Sequence, residues 1–230
     1  MDLRSRLRNL LLILLLGLIA GCAQLPKHAQ PHFYAPQDEA LVSRKGFGYR
    51  QLLVADFKAA SLPPDYRQYD HSIGAQSCIS IRPSRDLKIH IGQAYYQNML
   101  FYSGTLSHLK FEAIFVPECS WWNPALDRRK TEYVLQHEQI HFALAELAAR
   151  KLTSKAAYEM QSYIAFGNSY SEVEKEIVEK LKNMGQETME ASLQEHTRFD
   201  EDTSLFHDPQ AQRKWLKNIE IRLAEGNDNS

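Results

Sequence analysis

Along the first half of the chain apolar residues recur at the two-residue period of a half-buried strand. In residues 87–96 (LKIHIGQAYY), Leu87, Ile89 and Ile91 alternate with Lys88 and His90. Residues 49–57 (YRQLLVADF), 77–83 (SCISIRP) and 109–117 (LKFEAIFVP) read as further β-type runs. Pro63-Pro64, Pro83-Ser84 and Ser103-Gly104 supply breaks between them. The pattern predicts a small, mostly antiparallel sheet.

The period changes after CSWWNP. Asn123-Pro124 offers an N-cap with proline at the first helical position, and residues 125–154 contain neither Gly nor Pro, so a long helix is expected there. A second helix is expected over about 154–166. A third runs from Ser171 to about Met184 on a stripe of Val173, Ile177, Leu181 and Met184, and residues 185–199 continue beyond it. A last helix, about 209–224, packs through Trp215, Ile219 and Leu223, and residues 226–230 read as a frayed tail. The expected class is α+β, with one domain over 46–225 that is mainly β in 46–122 and helical in 123–225.

The ends of the chain change the picture. Arg4, Arg6 and Arg8 precede an apolar run from Leu10 to Ile19 that closes on Ala20-Gly21-Cys22. This is the layout of an export signal over 1–21 ending in a lipoprotein-type cleavage box, with Cys22 as the lipidated residue. Residues 22–45, with three prolines after the cysteine and no apolar period, read as a tether. The expected location is the periplasmic face of a bacterial outer membrane, with membrane contact through the anchor. Setting the signal aside leaves a formal charge of −3, which is no footprint for nucleic acid. Export also makes a disulfide between Cys78 and Cys119 the natural expectation.

Candidate chemistry lies in the long helix, in the sequence EYVLQHEQIHFALAELAARKL. Residues four apart on a helix share a face, so His137 and His141 can converge on one ion while Glu138 serves as a base. Zn2+ is the common choice for such a helix, activating water for attack on a carbonyl. A third protein ligand is needed. Glu146 is rotated roughly 140° from His141 on an unbroken helix and is expected to pair with a basic group instead. Glu172, Glu176, His196, Asp200 and His207 are the later candidates.

Separated pieces of the chain together resemble the domain of unknown function 922 family, described as predicted secreted zinc-dependent proteases. Leu52, Asp56, Phe57, Pro63 and Ala75 match its early motif, and Ser120-Trp121 matches a Ser-Trp ahead of the active helix. Phe142, Glu146 and Arg150 fall in register after the histidines, and Asp200, Thr203, Gln212 and Trp215 match the late motifs. The chain departs from the family at Phe199, where a Tyr is usual, and at Leu205-Phe206, where His-Gly is usual; His207 follows. The resemblance implies a zincin-like fold and a zinc metallopeptidase acting on a peptide or protein substrate. Asp200 is taken as third ligand, with His207 and Glu176 as alternatives. The competing expectation is a non-catalytic lipoprotein that keeps the fold and binds another cell-envelope protein through Trp121-Trp122 and residues 95–102 (YYQNMLFY). Hydrolysis of a glycan or phosphoester ranks below both.

Overall fold

A computed structural model describes residues 46–97, 99–204 and 207–225. The expected signal, Cys22 with its tether, and the tail lie outside the described residues. The strands are β1 (Phe47–Gly48), β2 (Ala75–Gln76), β3 (Ile79–Pro83), β4 (Lys88–Tyr96), β5 (Met99–Ser107), β6 (Phe111–Phe115), β7 (Trp121–Trp122) and β8 (Ala165–Gly167). The helices are α1 (Thr131–Glu159), α2 (Tyr170–Thr203) and α3 (Pro209–Glu225). The class is α+β, as the two periods predict. Every strand pair is antiparallel, but the strands form three small sheets rather than one: β1-β6-β3, β2-β7 and β4-β5-β8.

Five local expectations are corrected. Ser103-Gly104 is no break, because β5 runs through both and pairs them with Gly92 and Ile91. Residues 49–57 are not a strand, because side chains capture their backbone donors: Leu52 N–H donates to Gln139 and Leu53 N–H to Asp56, and Val54–Asp56 closes as a 3-10 turn. Asn123 caps a turn through Ala125 N–H rather than the helix, which follows a 3-10 turn capped by Asp127. No separate helix covers 154–166. α1 continues to Glu159 because Ala149, Leu152 and Ala156 extend one buried face, and Ala165–Gly167 pairs with β5. Finally, Trp121 is buried and so offers no contact surface, while Trp122 is half-buried and packs edge-on against Phe57.

α1 is the axis of the interior, with apolar residues on two sides of it. Phe142 meets Phe47, Tyr49 and Phe115 on the sheet side. Ile140, Ala143 and Leu144 meet Phe199 and Ile219 on the other. Burying each large side chain contributes about 1.5–3 kcal/mol. Ala145, Ala149 and Ala156, all fully buried, let β3, β6 and α2 approach closely. Glu146, turned away from the histidines as its rotation requires, accepts from Arg150 at 2.9 Å and from Ala113 N–H at 3.3 Å. The expected Cys78–Cys119 bond is formed, with the cysteines 41 positions apart. Closing a loop of that length removes about 4 kcal/mol of freedom from the unfolded chain.

Candidate metal centre

The N-terminal half of α1 faces the C-terminal end of α2, and the two helices bring their ionisable faces together. His137 and His141 lie one turn apart on α1; His196, Asp200 and Thr203 recur at the same helical spacing on α2. His137 Nε2 and His141 Nε2 stand 3.1 Å apart, and Asp200 Oδ1 lies 3.1 Å from the first and 3.0 Å from the second. These three atoms form the one group of metal-binding composition found among the described residues. Their side chains are 13%, 12% and 5% exposed, so the group lies beneath the surface.

Contacts behind the imidazoles are compatible with both rings carrying the proton on Nδ1. Thr203 Oγ1 donates to Phe199 O at 2.7 Å, which leaves it an acceptor for His137 Nδ1–H at 3.4 Å. His141 Nδ1 lies 2.9 Å from His196 Nδ1. His196 is fully buried, and burial first, then the neighbouring His141, pushes its pKa well below the usual histidine value despite Asp200. A neutral His196 can accept from His141 Nδ1–H, and in that tautomer both Nε2 atoms direct lone pairs at Asp200. Three acceptors meeting in a buried space are then satisfied by a cation. A proton on His141 satisfies one edge of the triangle; a divalent ion satisfies all three corners.

The electrostatics agree. Burial alone would lower His141 and raise Asp200. Their mutual attraction outweighs it, so His141 is raised and Asp200, with His137 also beside it, is held well below the usual carboxylate range. The spacing also fits. Ligand atoms about 2.0–2.1 Å from a tetrahedral ion stand roughly 3.3 Å from one another, close to the separations here. A buried His-His-Asp group of this form can hold a metal ion.

Phe199 walls the site, stacked on His137 at 4.5 Å and edge-on to His141 at 5.0 Å. Trp215 packs against Phe199 in turn and donates from its indole to Asp202. Glu138, beside His137 and only 5% exposed, accepts from Ser77 through the backbone N–H at 3.0 Å and through the hydroxyl. Gln212 ties α3 to the start of α1, donating to Tyr133 O and Gln136.

The remaining candidates fall elsewhere. Glu176 accepts from Tyr163 and lies 24 positions before Asp200 on α2, about 36 Å along the axis, so it is not a ligand. Glu172 binds Asn168 N–H at the start of α2. The His207 ring lies tilted by 50° against Tyr133 with centroids 4.1 Å apart, and the metal-binding group is complete without it. His196 backs a ligand instead of being one. Sequence reasoning placed Ser77 only as the Ser of an Ala-x-Ser motif and gave it no role, since 61 positions separate it from Glu138. It also missed the backing roles of His196 and Thr203, although their places four before and three after Asp200 carried that signal.

Comparison with known proteins returns no match to any family model, curated protein or solved structure.

Proposed function

We propose that this chain is a zinc-dependent peptidase, exported and tethered by lipid at Cys22 to the periplasmic face of the outer membrane, as its N-terminal pattern and its family resemblance suggest. The observation that carries the reading is the buried convergence of His137 Nε2, His141 Nε2 and Asp200 Oδ1 within 3.0–3.1 Å, one residue from a buried glutamate. Two imidazoles and one carboxylate form a donor set of catalytic zinc rather than of magnesium or calcium.

His137, His141 and Asp200 would hold the zinc, which when bound would supply a Lewis acid for the scissile carbonyl and make a water acidic enough to lose a proton near pH 7. Glu138 is the proton acceptor and afterwards returns the proton to the leaving amine. Ser77 occupies its Oε2, so Oε1 takes the proton. His196 and Thr203 can hold the imidazoles in the required tautomers, and Phe199 keeps bulk water from their faces.

The burial of all three donors also favours a second reading, in which the ion staples α1 to α2 and the protein acts by binding a cell-envelope partner. Glu138→Gln separates the two. Under the peptidase reading the variant keeps one zinc per chain by atomic emission and loses at least about a thousandfold in turnover of a quenched-fluorescent peptide library. Undiminished turnover or biological activity in that variant defeats it.

A further inference from the structure

We propose that Ser77 is the positioning residue for Glu138, and that the Cys78–Cys119 disulfide keeps Ser77 in place. The catalytic half rests on Glu138 being the proton acceptor; the mechanical half does not.

Glutamate has three rotatable side-chain bonds, and a base that wanders among rotamers loses the advantage of proximity. Glu138 is fixed by two donors from one residue, the N–H of Ser77 at 3.0 Å and its hydroxyl, both to Oε2. Ser77 itself sits on little regular structure. β2 ends one residue before it and holds to β7 through only two pairs, Ala75 with Trp122 and Gln76 with Trp121. A ribbon that short is weak by itself.

The restraint comes from the other side. Cys78 N–H donates to Ser120 Oγ at 2.9 Å, Cys78 O accepts from Val116 N–H at 2.9 Å, and Cys78 Sγ is bonded to Cys119. Ser120 Oγ donates back to Val116 O at 2.8 Å, which closes the turn over 116–120. All three attachments of Cys78 therefore reach one tight turn, and the residue beside it aims the base. Cys78 is buried at 4% exposure and Cys119 is half-buried, so a small reductant reaches the bond from the Cys119 side. An external phosphine supplies two electrons and water supplies two protons and an oxygen, so the S–S bond breaks to two thiols and the phosphine leaves as its oxide. Reduction then leaves Ser77 held by hydrogen bonds alone.

The test is amide hydrogen exchange, read by NMR on the zinc-loaded chain begun at Ala23, which retains every described element. Reduction with tris(2-carboxyethyl)phosphine, which carries no thiolate to compete for zinc, and separately Glu138→Ala, should speed exchange at Ser77 by about tenfold or more while α1 protection and zinc content hold. Glu138→Gln, which keeps an acceptor, should leave exchange unchanged. If the Ser77 amide stays as protected after reduction, or loosens only together with α1, the brace is refuted. On the peptide library, Ser77→Ala should lower kcat by about a hundredfold with KM unchanged, and Ser77→Thr should restore most of it. Unchanged kcat in Ser77→Ala overturns the positioning role. No turnover in the parent chain counts against the peptidase reading alone, because exchange decides the brace by itself.

Discussion

His196 and His141 are neighbouring imidazoles that burial pushes the same way, down, and that their neighbours then separate. Asp200 lies at His141 Nε2 and raises it, whereas His196, with His141 beside it, is held neutral. In the unfolded chain both titrate near 6.5. His196 is depressed on folding, so its contribution to stability is whole above about pH 6.5 and is lost as pH falls toward its folded value. His141 is raised, so its contribution is whole below about 6.5 and is lost as pH climbs through its folded value. Asp200, also depressed, keeps its contribution above about pH 3.9 and loses it only under strong acid. His196→Asn places an amide oxygen where Nδ1 accepts and removes the titrating ring. In metal-free protein, urea midpoints of this variant should fall less steeply than those of the parent between about pH 6.5 and 4. Equal slopes would show that His196 is not the group being protonated. At this scale the sequence was informative wherever chemistry repeats along one helix. The H-E-x-x-H spacing gave His137, His141 and Glu138, and Asp200 was among the named ligands. Ser77 was hidden because its link to Glu138 exists only through tertiary packing.

Gly185 carries the corresponding lesson for elements. Glycine is a poor helix former, yet α2 runs unbroken through it for 34 residues, in line with the expected continuation over 185–199. A Cβ at this position would stand 2.7 Å from Ile81 O, so glycine is present because helix and strand β3 touch, not because the helix ends. Alanine should add about 1 kcal/mol of helix propensity and lose more to the clash with backbone, which cannot swing away. Gly185→Ala is therefore expected to destabilise the fold by about 1–3 kcal/mol in urea unfolding, and a gain in stability would contradict the close approach. The element errors share this origin. The strand β8 and the missing strand at 49–57 were decided by partners distant in sequence: β5 in one case, and the Gln139 side chain in the other. The long helices and the alternation of β4 were readable because their periods are local.

For the whole molecule, the decisive feature is that no layer stands apart. Phe142 of α1 lies in the aromatic core with Phe115, while Ile140 and Leu144 of the same helix contact α2 and α3. An ion gripped by α1 and α2 therefore acts on the entire cooperative unit. Zinc at about a thousand times its dissociation constant should contribute about 4 kcal/mol. For a domain of this size that is a fall in Tm of about 8–16 °C after chelation with EDTA. Unfolding should stay a single transition, with circular dichroism coincident with tryptophan fluorescence. The latter reports both ends, since Trp121 and Trp122 lie in the sheet region and Trp215 packs behind the metal-binding residues. Asp200→Asn should abolish the chelator shift, because an amide is a poor substitute for a carboxylate ligand, and Glu138→Gln should keep it. That pair of results would assign the ion to the triangle of His137, His141 and Asp200 and leave the glutamate free for chemistry. A shift that survives in Asp200→Asn would place the metal elsewhere, and the catalytic reading would lose its foundation.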